Sequence, residues 1–182
     1  MADTVEHRYG SLLEAVSFAA RAHHGQMRKD KSTPYVSHVF RVALIVREVF
    51  GIRDRRAILA ALLHDTVEDT LADFDELEET FGGEIAEWVA LLSKDKRQRE
   101  SQREKAYLEQ LVGAPWQVKA CKLADIFDNL MDSTGLPPEK QARALHRARQ
   151  YLHTLKKKLP PELKRPYSLV RRLLREMASS DF

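Results

Sequence analysis

Apolar residues recur at helical spacing in one segment after another of this chain. The first segment predicts a helix over about 11–24, whose start at Ser11 has the spacing of a capping box. The last two predict helices over about 139–158 and 167–178, separated by prolines. Only seven Gly and seven Pro occur among 182 residues, so few positions interrupt helical structure. We therefore predict an all-α fold.

The length and composition predict a single domain. Of the 182 residues, 43% are hydrophobic and 31% are charged, which is enough apolar material for one compact core. We expect this domain to span 1–182 as a helical bundle that includes the C-terminal helices at 139–178. The lone Cys121 cannot form an internal disulfide, and no apolar run is long enough for a signal peptide or a membrane span. We expect a soluble, cytoplasmic protein with no membrane partner.

The charge balance permits an anionic ligand but does not call for nucleic acid. Thirty Lys and Arg against 27 Asp and Glu leave a formal net charge of +3, which is a mild excess. Residues 94–105 stand apart, because they contain six basic and three acidic side chains and no apolar one. Such a segment must lie in water or against a charged ligand, and we expect a solvated loop.

Titratable residues cluster where one apolar helical segment ends. His64 and Asp65 follow a run of apolar residues, and an ionised Asp there is costly to bury without a partner. If the helix continues, Glu68 lies one turn beyond His64 and Asp69 one turn beyond Asp65, on the same face. Three carboxylates this close repel one another unless a cation lies among them. A metal ion would be such a cation, although a His-Asp pair by itself is more often structural.

A second acid stands in another apolar helical segment. Asp125 is flanked by apolar residues on both sides, and Asn129 follows one turn later on the same face. With Asp65, this makes two acids in separate helices that are both expected to be buried. The pattern indicates a ligand shared between the two helices.

At these residues the chain resembles the HD superfamily of phosphohydrolases, and within it the Rel/Spo branch, which hydrolyses guanosine tetra- and pentaphosphate alarmones. The resemblance covers roughly residues 11–155 and is most specific at the His-Asp-x-x-Glu-Asp block. The matching blocks are Ala-His-His-Gly-Gln-Met-Arg-Lys at 22–29, Thr-Pro-Tyr-Val-Ser-His at 33–38, Ala-Ala-Leu-Leu-His-Asp-Thr-Val-Glu-Asp-Thr at 60–70, and Lys-Leu-Ala-Asp at 122–125. One departure is Val39, where the family usually has proline. Because no nucleotide-synthesising domain follows, we expect a stand-alone small alarmone hydrolase.

The resemblance implies a metal centre and a catalytic pair. Two imidazoles and two carboxylates suit Mn²⁺, Zn²⁺ or Fe²⁺ by ligand type, and the family implies Mn²⁺. The metal would lower the pKa of bound water and neutralise charge on the attacked phosphoryl group, while the catalytic pair orients the water and moves its proton. The implied metal ligands are His38, His64, Asp65 and Asp125, and the implied catalytic pair is Glu68 and Asp69.

The resemblance also implies four residues that bind the nucleotide. Arg28 and Lys29 match a basic pair that can clamp phosphate or stack on a base, although without the resemblance they are typical of a solvated pair. Asn129 matches a position that contacts the nucleotide in relatives. Tyr151 matches another, but it lies on an amphipathic helix, where a tyrosine is as often core or rim packing.

Other residues receive a structural interpretation. Tyr35 and Ser37 are expected to be structural, and His23 is expected to be a hydrogen-bonded residue that fixes its loop. The C-terminal basic residues are expected to form a solvated helix surface, with a polyanion-binding face as the alternative. These residues are Lys156, Lys157, Lys158, Lys164, Arg165, Arg171, Arg172 and Arg175.

The function implied by the resemblance is Mn²⁺-dependent removal of the 3′-diphosphate from guanosine 3′,5′-bis(diphosphate), giving GDP and pyrophosphate. The alternative is an HD phosphatase acting on NADPH or another nucleotide, because animal relatives with the same motifs also remove the 2′-phosphate of NADPH. A non-enzymatic polyanion-binding protein would use segment 94–105 and the basic C terminus, and would not need the acids at 65, 68, 69 and 125. We therefore expect a small nucleotide as the partner, and no sequence feature predicts the oligomeric state.

Overall fold

The fold is α-helical in the part of the chain that the structure describes. This computed structural model describes residues 5–179, which contain no β-strand, only an isolated bridge between Met27 and Pro34. The predicted all-α fold is therefore confirmed. Among these residues, no helix combines the length and the hydrophobicity needed to cross a bilayer.

Short connections join the helices into a bundle. A π-helical turn, Ile45–Val49, extends the second helix, and a 3₁₀ turn, Pro161–Leu163, precedes the last one. The α-helices of the described residues are α1 (Val5–Ala22), α2 (Val36–Leu44), α3 (Arg55–Leu63), α4 (Thr66–Asp69), α5 (Phe74–Phe81), α6 (Gly83–Leu92), α7 (Glu100–Gly113), α8 (Trp116–Ser133), α9 (Pro138–Lys156) and α10 (Lys164–Ser179).

Two helices, α3 and α8, form the centre of the bundle. Residues 57–63 of α3 are all buried, and α8 is buried around its whole circumference over much of its length. Helices of this kind belong to a protein interior, and α8 packs against α2, α3, α6, α9 and α10. Since His64 directly follows α3 and Asp125 lies within α8, this packing places both residues in the same buried region.

The first helix begins earlier than the capping box predicted. Its first residue is Val5, so Ser11 lies inside the helix and not at its start. The Ser11 hydroxyl accepts a hydrogen bond from Arg55 of α3 (3.1 Å). The predicted start at Ser11 was therefore wrong, because this side chain ties α1 to α3 and does not cap a helix.

Pro166 lies within the first turn of α10, and not before the helix as predicted. Proline is tolerated there because the first N–H groups of a helix have no intrahelical acceptor.

The C-terminal basic residues are all exposed, as expected for a solvated helix surface.

The charged segment 94–105 is not wholly a solvated loop. Its last residues belong to α7, which begins at Glu100. Arg97 is 91% exposed, but Lys94 is only 13% exposed and forms an ion pair with Glu104 (2.7 Å). The expectation of a solvated loop was therefore wrong for Lys94, whose side chain lines a cavity.

Candidate metal centre and basic cavity

The His-Asp pair lies in a break between α3 and α4. Helix α3 ends at Leu63, and Asp65 (φ −102°, ψ −2°) turns the chain before α4 begins at Thr66. The Thr66 hydroxyl donates to the Leu63 carbonyl (2.7 Å), a local bond that competes with a continued helix. The helix therefore does not continue through His64 and Asp65, the condition under which the spacing would have placed Glu68 and Asp69 on the same helix face as these residues. The short α4 still brings Glu68 to the cavity that His64 and Asp65 line.

The ring of His64 is held in one orientation by a backbone contact. Its Nδ1 lies 2.8 Å from the carbonyl oxygen of Ala61, within hydrogen-bonding distance. Because a carbonyl oxygen only accepts, Nδ1 must carry the proton, which leaves a lone pair on Nε2 of the neutral ring. This Nε2 is buried, has no hydrogen-bond partner among the described residues, and lies 3.2 Å from Asp65 Oδ2. It is therefore available as a metal ligand.

The four predicted ligands are neighbours in space. His38, on α2, places its Nε2 3.5 Å from Asp65 Oδ2 and 3.3 Å from Asp125 Oδ1. Potential ligand atoms of His38, His64 and Asp65 all lie within 4.8 Å of one another. Asp125 adjoins this group through His38, while its other carboxylate oxygen accepts from Lys122 (2.8 Å). Residues far apart in the sequence thus form one compact cluster.

The charges of this cluster fit a divalent cation. Burial raises the pKa of Asp65, but the charges of His64 and His38 outweigh it and hold that pKa below its usual range. Burial likewise raises the pKa of Asp125, but Lys122 and His38 hold it well below the usual value. Burial lowers the pKa of His38, while hydrogen bonds with Asp125 and Asp128 raise it to about 9. The buried carboxylates stay ionised because positive charge lies beside them, and a cation bound between them would supply that charge in place of the imidazolium of His38.

The two residues of the predicted catalytic pair occupy different environments. Glu68 lines a cavity of about 170 Å³ together with the four candidate ligands, and its carboxylate accepts from the backbone N–H of Lys94 (2.9 Å). Burial raises the pKa of Glu68. Asp69 does not line this cavity; its side chain is 35% exposed and forms an ion pair with Lys96 (2.6 Å). Glu68 is therefore the better placed of the two to act on a water beside the cluster.

A larger basic cavity of about 410 Å³ adjoins the smaller one. The two share Lys94, Lys122, Asp125, Asn129 and Arg147 in their linings. Among residues 5–179, Asp125 is the only acid in the lining of the larger cavity, whose basic lining residues are Lys29, Lys94, Lys122, Lys140, Arg143 and Arg147. An anionic ligand can thus extend from the metal cluster into a space lined by positive charge.

The predicted nucleotide-binding residues divide between this cavity and the interior. Lys29, Asn129 and Tyr151 line the larger cavity, and Arg28 does not. The Arg28 side chain is 8% exposed and pairs with Asp132 through two of its nitrogens. Arg28 is therefore neither solvated nor directed into the cavity in this structure.

Tyr151 lines the cavity and also packs in the core. The Lys122 ammonium lies 4.3 Å from its ring centroid, and its hydroxyl donates to Glu104 (3.2 Å). The sequence allowed Tyr151 either to contact a nucleotide or to pack in the core. Its position at the cavity wall, with its ring in the core, is compatible with both.

Several residues of the site were not identified from the sequence. Arg147 lines both cavities, and Lys122 is buried between Asp125 and the Tyr151 ring. A lysine in an apolar stretch of α8, three residues before Asp125, was the signal that could have identified Lys122. Arg147 carried no such signal, because basic residues are common on α9.

Tyr35 was expected to be structural, yet it lines the smaller cavity. Its hydroxyl donates to Asp65 Oδ2 (2.6 Å). His23 behaves as expected, since its Nδ1 lies 2.9 Å from Gln26 Oε1 within the same loop.

Replacing Tyr35 with phenylalanine tests the contact with Asp65. The change removes only the hydroxyl, so we expect a folded protein whose Mn²⁺ affinity falls by about 10-fold, the usual effect of losing a hydrogen bond to a metal ligand. The measurement is Mn²⁺ titration followed by the electron paramagnetic resonance of the free ion. Unchanged affinity would mean that Tyr35 does not orient Asp65.

Comparison with known proteins agrees with this geometry. A family model for the HD domain matches residues 15–155. The chain therefore belongs to the HD-domain family. Its relatives include two proteins named guanosine-3′,5′-bis(diphosphate) 3′-pyrophosphohydrolase MESH1. The one from Danio rerio is 43% identical over 70% of this chain and 72% of that protein, and the one from Homo sapiens is 41% identical over 77% and 78%.

A solved structure shares the fold. It is described as a metazoan ortholog of SpoT that hydrolyses ppGpp, and it superimposes with a TM-score of 0.77 at 30% identity, covering 89% of this chain and 94% of that one. SpoT from Escherichia coli, a bifunctional (p)ppGpp synthase/hydrolase, is 34% identical over 72% of this chain, but the match spans only 19% of SpoT. Within the HD family, this chain is thus a homologue of MESH1 and of part of SpoT.

Proposed function

We propose that this protein hydrolyses guanosine 3′,5′-bis(diphosphate) to GDP and pyrophosphate with the aid of a divalent cation. The observation that carries the proposal is that the cavity of the His-Asp cluster and the basic cavity adjoin and share lining residues, among them Lys122 and Arg147. A substrate with two diphosphate groups needs this combination of cation and lysine or arginine charge. The names of the MESH1 relatives and the description of the solved structure support the same substrate.

The proposed metal ligands are the two imidazoles and two carboxylates of the cluster. We assign Mn²⁺ to the site, and this ligand set also accommodates Fe²⁺ or Zn²⁺. Such a cation, when bound, lowers the pKa of a water molecule and offsets the negative charge of the phosphoryl group. The ligands would be His38, His64, Asp65 and Asp125.

The chain's own residues would then act on the water and the phosphates. Glu68 takes a proton from the water as its oxygen attacks the phosphorus attached to the 3′-oxygen. The bond between this phosphorus and the 3′-oxygen breaks, so GDP leaves with a proton on its 3′-oxygen and the water's oxygen remains in pyrophosphate. Asp69, which does not line the smaller cavity but lies 3.4 Å from the Tyr35 hydroxyl, is proposed to help pass that proton. Lys122 and Arg147 hold the phosphate oxygens and stabilise their charge.

A substrate comparison tests this proposal. The Mn²⁺-loaded protein is incubated in parallel with guanosine 3′,5′-bis(diphosphate) and with NADPH, and kcat/KM is measured for each. Release of pyrophosphate with the higher kcat/KM supports the proposal. Release of phosphate from NADPH with the higher kcat/KM would establish the alternative phosphatase function. Binding without turnover of either compound would favour the non-enzymatic alternative.

Replacing Arg147 with glutamine tests the basic cavity. Loss of one charge-assisted contact to phosphate, worth about 1.5–3 kcal/mol, should raise KM by roughly 10–150-fold. Arg149→Gln is the matched control, because Arg149 is an exposed residue of the same helix that does not line either cavity. Equal KM values for the two variants in steady-state assays would exclude Arg147 from substrate binding.

A further inference from the structure

A buried carboxylate, Asp128 of α8, lies beside the candidate ligand His38. The residue is 0% exposed, and it lines neither of the two cavities. Its Oδ2 lies 2.7 Å from Nδ1 of His38, while Nε2 of the same ring faces Asp65 and Asp125. Asp128 therefore contacts the histidine at the ring nitrogen that does not face the candidate metal site.

This contact determines which nitrogen of the neutral His38 ring carries the proton. A carboxylate accepts hydrogen bonds and donates none, so Nδ1 must carry the hydrogen and Nε2 keeps its lone pair. His64 is held in the same way by the carbonyl of Ala61. When the two rings are neutral, as metal-binding imidazoles are, His38 and His64 therefore both carry their proton on Nδ1 and have an unprotonated Nε2 beside Asp65.

Asp128 is itself held in place by arginines. Arg41 Nε lies 2.7 Å from its Oδ1, and the Arg28 guanidinium lies 3.8 Å from its Oδ2. Both arginines also pair with Asp132, one turn further along α8. The carboxylate of Asp128 therefore has little freedom to turn away from His38.

We infer that Asp128 is a positioning residue that orients His38 and selects the tautomer able to bind the metal. The inference rests on the proposed metal site and deepens it. It also gives Arg28 a role within the protein, because Arg28 helps to hold the carboxylate that holds His38. Partners of this kind behind a metal-binding histidine are typically worth about 10–100-fold in metal affinity or activity.

The variant Asp128→Asn tests the inference while keeping the size of the side chain. The amide oxygen is drawn towards Arg41, which turns the NH₂ group to His38 and favours the tautomer with the proton on Nε2. We expect Mn²⁺ affinity to fall by about 10–100-fold, measured from the electron paramagnetic resonance of free Mn²⁺. Asp132→Asn is the matched control, because Asp132 pairs with the same arginines but has no contact with His38.

The outcomes separate positioning from a merely structural role. A loss of affinity in Asp128→Asn alone supports the inference, and equal losses in both variants, or none in Asp128→Asn, would overturn it. Nitrogen-15 chemical shifts of His38 in the Zn²⁺-loaded wild-type protein give a test that needs no variant. A protonated Nδ1 and a coordinated Nε2 are expected, and the reverse assignment would refute the inference. A wild-type protein that binds neither ion would instead refute the metal site itself, and the inference with it.

Discussion

Replacing Asp65 with alanine should abolish hydrolysis of guanosine 3′,5′-bis(diphosphate). Asp65 is the residue of the cluster that lies near both imidazoles, 3.5 Å from His38 and 3.2 Å from His64. Without its carboxylate, the two histidines lose the anion between them and the cation loses a ligand. Since the metal contributes several kcal/mol to stabilising the transition state, we expect kcat to fall by about 10³-fold or more.

The measurement for Asp65→Ala is pyrophosphate release at saturating Mn²⁺, together with Mn²⁺ titration. A suitable control is Asp75→Ala, which removes an exposed carboxylate from α5 that lines neither of the two cavities. The control should retain wild-type kcat. Turnover in Asp65→Ala close to that of the control would remove Asp65 from the metal centre.

Replacing Glu68 with glutamine should separate chemistry from metal binding. Glu68 lines the smaller cavity but is not part of the compact ligand group, so the variant should bind Mn²⁺ as tightly as the wild type. Glutamine cannot accept a proton from the attacking water. We expect kcat to fall by about 10²–10⁴-fold, the usual contribution of a general base.

The pH dependence of kcat provides the check on Glu68. Burial raises its pKa, and a general base works only when ionised, so wild-type kcat should decline as the pH falls through this raised pKa. The residual activity of Glu68→Gln should lack that step. A glutamine variant with full activity, or with an unchanged acid limb, would show that another group accepts the proton.

The two acids of the candidate ligand set stand out in the sequence because their chemistry conflicts with their surroundings, whereas the full set, His38 included, was implied only by the family resemblance. Asp65 and Asp125 are acids in apolar helical segments, a conflict that is visible without any structure. The structure resolves it by placing Asp65 beside His38 and His64, and Asp125 beside His38. The helices themselves were predictable for a related reason, since apolar spacing reports which face is buried.

The rest of the site depends on contacts between distant parts of the chain. Arg147 and Lys29 line one cavity although they are more than a hundred positions apart, and nothing in the local sequence of either indicates this. Arg28 looked like a solvated or ligand-binding residue, but its partner Asp132 lies on a different helix. The sequence also left open whether the helix continues past Leu63, because the turn there involves side-chain contacts such as the hydrogen bond from the Thr66 hydroxyl to the Leu63 carbonyl.

The most direct test of the account is the metal dependence of alarmone hydrolysis. The protein is stripped with EDTA, freed of the chelator, and assayed on guanosine 3′,5′-bis(diphosphate) before and after Mn²⁺ is added. We predict no turnover in the stripped protein, and full recovery with Mn²⁺ that yields GDP and pyrophosphate in equal amounts. Hydrolysis that persists without the metal, or Mn²⁺-loaded protein that leaves the alarmone intact, would contradict the account.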